Sequence, residues 1–158
     1  MIDHTIQQIE ETEKYFNDKG FSLLEKTVAG RDLRYYVMPQ SMNLDLQDFI
    51  FRVTNDASKK YLIGVSDSVP EKLQPYFALA EYIEFIELGI NRKERVMEAE
   101  KIVLSVIPDE LSKEYIQRKV KLLQTELKLD SSQPKYALGS DGRKEFNAAI
   151  KFLESKVE

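Results

Sequence analysis

Residues 73–89 read LQPYFALAEYIEFIELG, the longest strongly apolar stretch of the chain, and they carry Glu81, Glu84 and Glu87 at three-residue spacing. Upstream of Pro70 the apolar residues alternate with a period of two. Downstream they recur about every 3.6 residues, the spacing of one helix face. The stretch therefore marks a switch from strands to helices. Strands and helices segregated along a chain indicate an α+β fold and not an alternating, doubly wound one.

Upstream, residues 3–19 form a first helix, with Ile6, Ile9 and Phe16 as a thin apolar stripe and Gly20 as its stop. Four strands follow, at about 21–28, 33–38, 49–54 and 60–65. The connection Ala29-Gly30-Arg31-Asp32 supplies the glycine that a tight reversal needs, and Asn55-Asp56-Ala57-Ser58 has turn composition. Pro39 ends the second strand, and 40–47 is a connector with room for a short helical turn. Two hairpins with short loops make a mostly antiparallel sheet.

Downstream, helices are expected at about 70–89, 92–107, 109–129 and 141–157. Ser68 is the expected cap of the first and Asn91 of the second. Residues 130–134 read as a linker, and Ser140 or Asp141 caps the last helix. Nothing in the 158 residues asks for more than one α+β domain spanning 1–158.

Composition narrows the function. The chain is 42% hydrophobic and 32% charged, enough for a core and against disorder. A net charge of −4 argues against a nucleic-acid or anionic-membrane partner, which calls for a basic excess. The absence of cysteine removes disulfides, thiolate nucleophiles and Cys-ligated zinc. The N-terminal residues lack the basic and apolar regions of a secretory signal, and no apolar run approaches the roughly 20 residues of a membrane span. A cytoplasmic protein is expected.

Chemistry-bearing motifs are sparse. His4, the only histidine, has no neighbour that suggests a triad or metal cluster and reads as solvated. Residues 139–144, GSDGRK, lack P-loop spacing, and the acids around 130 lack the spacing of a calcium loop. Lys113, Arg118, Lys119 and Lys121 are interleaved with Glu114 and Glu126 and read as a solvated face.

The central helix is the richest stretch. At about 100° per residue, Leu79, Ile83, Ile86 and Ile90 gather on a face to be buried against the sheet. Glu81, Glu84 and Glu87 fall on the opposite side among Phe77, Ala80 and Leu88. Acids among apolar residues are partly covered, and covered carboxylates need a partner, a proton or a cation. Arg92, Arg95 and Arg118 are the candidate partners for Glu81 and Glu84.

The word Ala80-Glu81-Tyr82-Ile83-Glu84 resembles the H-E-x-x-H helix motif of small zinc metallopeptidases of the zincin type, with both histidines replaced. In that family the helix follows an antiparallel sheet whose edge strand holds extended substrate, and here it follows a four-strand block. The resemblance covers residues 45–110 and implies that Glu81 stands in the place of the general base, with Ala80 and Glu84 in those of the two zinc ligands. Alanine has no donor atom, so no metal or cofactor is expected; Glu94, Glu98 or Glu100 as a third ligand would not repair the set. The resemblance implies a non-catalytic zincin-like domain acting on a protein or peptide partner through strand addition between helix and sheet edge. The alternative is a carboxylate-dependent or weakly metal-dependent hydrolase with Glu81 and Glu84 as catalytic residues. A purely structural protein whose three acids are all paired is the third reading.

Overall fold

In the computed structural model, which describes residues 3–89, 93–132 and 138–157, the chain divides into two compact units, Met1–Arg92 and Lys93–Glu158.

The first unit opens with α1 (Ile6–Asp18), capped by Thr5. The Thr5 hydroxyl accepts from the Gln8 amide at 3.1 Å, and the Gln8 side chain accepts from the Thr5 amide at 2.8 Å. This reciprocal box satisfies two amides that the first helical turn otherwise leaves unpaired.

Four strands follow: β1 (Ser22–Val28), β2 (Arg31–Met38), β3 (Ile50–Asn55) and β4 (Lys60–Ser66). Ala29 and Gly30 both have positive φ, so β1 and β2 are joined by a two-residue reversal whose twist suits a hairpin. The strand order is β1-β2-β4-β3. Both hairpin pairings are antiparallel, whereas β2 and β4 pair in parallel through Tyr36–Gly64, Val37–Val65 and Met38–Ser66. The sheet is therefore mixed. Residues 39–49, including a 3₁₀ turn at Gln40–Met42, carry the chain past the β4 position to the far edge.

Side-chain alternation assigns the two faces. Tyr36, Gly64 and Phe51 lie in register on one face, where the Phe16 ring of α1 sits 5.2 Å from Tyr36 and 5.4 Å from Phe51. A Cβ on Gly64 would run into the Met38 sulfur, so a side chain here would force Met38 to move. The other face carries Arg31, Leu33, Tyr35, Arg52, Tyr61 and Ile63, and it is covered by α2 (Gln74–Tyr82).

The central helix starts later than expected. Pro70–Leu73 form a turn, and α2 begins at Gln74 without a side-chain cap. Ser68, the expected cap, is engaged elsewhere. From Ile83 to Glu87 the helix widens into a π turn, with the Leu88 amide donating to the Ile83 carbonyl at 2.9 Å.

The second unit consists of α3 (Arg95–Val106), α4 (Asp109–Ser132) and α5 (Gly139–Ser155), with α5 packed on both others. Residues 130–132, expected in a linker, continue α4. There the Asp130 carboxylate accepts from the Leu138 amide at 2.6 Å and pairs with Arg143, interactions that hold its pKa below the ordinary value. Neither Ser140 nor Asp141 caps α5, which starts at Gly139. Ile90, Asn91, Arg92 and the rest of the expected linker, 133–134, lie outside the described residues.

Candidate functional site

The central helix is buried almost all round. Phe77, Ala78, Leu79, Ala80, Ile83, Phe85 and Ile86 are all buried, as expected of a helix that is apolar on more than one face. Its acids were expected to face away from the sheet; Glu81 and Glu87 instead meet arginines that the strands supply. Arg52 on β3 reaches Glu81 at 3.5 Å, with side-chain exposures of 18% and 16%. The Arg52 guanidinium also lies 3.4 Å from the centre of the Phe85 ring. Arg31, at the start of β2, donates to both Glu87 oxygens, at 2.7 and 3.1 Å, and this hydrogen bond raises the Arg31 pKa against the opposing effect of burial.

The sequence reading looked for the partner of Glu81 among the arginines of the later helices; the strand residue Arg52 supplies one, and Arg118 pairs with Glu114 on its own helix at 3.1 Å. Glu84 is half-buried and engaged. Thus Glu81 and Glu84 share a helix, and Glu81 is held by a cation. Ala80, in the place of a zinc ligand, is buried in the core. Among the described residues, no three His, Asp or Glu side chains are placed to share a metal ion. Glu100, weighed as a third ligand, accepts the Tyr115 hydroxyl at 2.8 and 2.9 Å and lies 3.9 Å from Lys119. Both charged groups are buried, so Lys119 leaves the solvated face expected of it.

A different place is open. The strand β1 is an edge of the sheet, pairing on one side only, and five of its seven residues are exposed. Between β1 and the turn leading into α2 runs an open groove of about 590 Å³, lined by Lys26, Pro70, Glu71, Lys72 and Pro75. Leu24, Lys26 and Val28 point to this side of the sheet, in register with Tyr35, Leu33 and Arg31. The Tyr35 hydroxyl is buried with no hydrogen-bond partner among the described residues; burial, reinforced by the charge of Glu71, pushes its pKa up to about 12.

The opposite edge is partly occupied. Along β3, the His4 amide donates to the Thr54 carbonyl at 2.8 Å, and the Asn55 side chain donates to the His4 carbonyl at 2.8 Å. His4 is consequently half-buried and pinned, not solvated as expected. The N-terminal segment thus covers part of one of the two edge ladders.

One polar cluster had no counterpart in the sequence reading. The Gln40 side chain donates to the carbonyls of Asn43 and Leu46, at 3.0 and 2.9 Å, which fixes its amide orientation. Its oxygen then faces the Ser66 and Ser68 hydroxyls and the Asp48 amide, and Ser68 is 2.6 Å from the Asp48 carboxylate. This hub fastens the 39–49 crossover to the end of β4 and explains why Ser68 does not cap α2. Its only sequence signal is a clustering of Gln, Ser and Asp near strand ends, indistinguishable from loop composition.

Comparison with protein families, characterised proteins and solved structures finds no match for this chain. Among the described residues, no helix is long and apolar enough to cross a membrane.

Proposed function

We propose that this protein is a non-catalytic binding domain, zincin-like in layout, whose sheet accepts an extended peptide segment as an added strand along β1. The observation that carries the reading is the contrast between the two edges. The N-terminal segment occupies part of β3, whereas β1 presents a ladder that no described residue pairs with, beside a groove. An unpaired strand edge offers main-chain donors and acceptors in a row, and pockets beside it read alternate side chains of whatever adds there. The likeness to zincin peptidases contributes the same idea, an edge strand that holds extended chain. With Glu81 matched by Arg52, the acids of the central helix support the fold in this reading instead of activating water. A cytoplasmic setting accords with the cysteine-free composition.

The test is selection from a library of extended heptapeptides, followed by amide hydrogen exchange of the full chain with and without a selected peptide. The reading expects new protection confined to Ser22–Val28. A library that yields no binder, or binders that leave β1 unprotected, would sink it.

A further inference from the structure

We infer that the strand added to β1 is acidic at one defined position: it places an Asp or Glu opposite Lys26, with apolar residues two positions to either side. This rests on the strand-addition reading and names its ligand class. Within the hairpin, Glu25 faces Arg34 and meets it at 3.5 Å, so the sheet already answers that charge. Lys26 faces Leu33, which answers nothing. It is exposed at the rim of the groove, and the far wall contributes one charge of each sign, Glu71 and Lys72. The balance opposite β1 is therefore set by Lys26. On the same face, Leu24 and Val28 flank it two residues away and are half-buried, while Pro70 and Pro75 supply apolar wall. Directly opposed side chains on neighbouring strands interact most strongly, attractively for opposite charges and repulsively for like ones. The complementary sequence is apolar-x-acidic-x-apolar, which reads the same in either strand direction.

A second copy of this chain does not fit. Closed antiparallel self-pairing about a two-fold axis opposes a central residue to its own copy. Centring on Glu25 opposes two carboxylates, and centring on Lys26 opposes two ammonium groups. Centring on Leu23, Leu24 or Thr27 opposes a charged residue to an apolar one: Glu25 to Phe21, Glu25 to Leu23, or Lys26 to Val28. The occupant is a different chain with an acid at its centre.

The experiment uses the full chain and two capped heptapeptides, TVTETVT and TVTKTVT, titrated by fluorescence anisotropy with a terminal dye. The glutamate peptide is expected to bind about three- to tenfold more tightly than the lysine peptide, from one cross-strand charge changed in sign. Lys26→Glu, an exposed change, is expected to reverse the order. Equal binding of the two peptides, with β1 amides still protected, overturns the acidic preference and leaves strand addition standing. Binding of neither overturns both. A preference for glutamate that survives Lys26→Glu unchanged also overturns the inference, because the charge would then be read elsewhere.

Discussion

Glu81 decides between a support and a catalyst, and its replacement by glutamine separates them. The substitution keeps the shape of the side chain and removes its charge, so Arg52 loses this carboxylate. At 3.5 Å the Coulomb attraction is about 4–5 kcal/mol for an effective dielectric of about 20. Desolvation of both groups offsets much of it. Exposed ion pairs contribute about 0–1 kcal/mol, and breaking a fully buried pair costs about 3–5 kcal/mol. With side chains 18% and 16% exposed, this pair lies between those limits. We therefore expect Glu81→Gln to lose about 2 kcal/mol. Arg52→Met loses more, about 2–4 kcal/mol, because the guanidinium also stacks on Phe85. The double variant should lose less than the two singles combined, with a coupling of about 1–2 kcal/mol. The assay is urea unfolding followed by tyrosine near-ultraviolet circular dichroism, with the slope compared among variants. Raising the salt should shrink the coupling only in part, since the pair is mostly covered. A neutral or stabilised Glu81→Gln would refute the reasoning. A stabilised variant would mean that the carboxylate is held at a cost, the mark of a functional group.

Three further outcomes follow from groups away from that pair. Tyr35→Phe removes a buried hydroxyl that has no partner among the described residues, so stability at neutral pH should be unchanged or rise by up to about 1 kcal/mol. Because the folded-state pKa is raised to about 12, the wild type should keep the full contribution of Tyr35 below pH ~10 and lose it as the pH climbs towards 12. At pH ~11 the Tyr35→Phe variant should be spared about 1.4 kcal/mol of that loss, read by urea unfolding at both pH values. Gln40→Ala should cost about 2–4 kcal/mol, since the Asn43 and Leu46 carbonyls and the Ser66 hydroxyl lose their common partner; exposed Leu44→Ala is the control. Tyr115→Phe should cost about 2–3 kcal/mol, seen as faster amide exchange in α3 and α4, because the Glu100 carboxylate, 1% exposed, loses the hydroxyl that both its oxygens accept.

Periodicity located every strand and helix of the fold, but the strand order lay beyond it. Two hairpins in sequence suggest that β2 neighbours β3. The structure places β4 between them, and a signal existed: residues 61–65, YLIGV, form an unbroken apolar run, the pattern of a strand covered on both faces. By contrast, β3 carries Arg52 at its centre and lies at an edge. A crossover of some ten residues costs little more to close than a tight one, so loop length did not forbid the rearrangement. The acids of the central helix misled for a related reason. A helix wheel shows that Glu81, Glu84 and Glu87 share a sector; it does not show which layer that sector meets. The missing information lay in the strands, where Arg31 and Arg52 occupy inward positions that an apolar layer would fill unless a carboxylate met them.

The candidate site was less legible than the fold because its decisive features are relational. Lys26 is an ordinary exposed lysine in sequence, and Glu25 beside it looks like its natural partner. On a strand, however, neighbours in sequence point to opposite faces. Only the register shows that Glu25 is answered by Arg34 while Lys26 faces Leu33. The same holds for the two edges: nothing in the residues of β1 and β3 announces which stays open until His4 is found on the β3 ladder. A lysine on an exposed edge also discourages indiscriminate pairing, since a strand of like charge or bare apolar character gains little by adding there. On the proposed strand-addition reading, protection and recognition are one device. The charge that keeps wrong strands off β1 is the charge that a complementary strand must answer, so removing it should broaden the range of peptides bound and should not abolish binding.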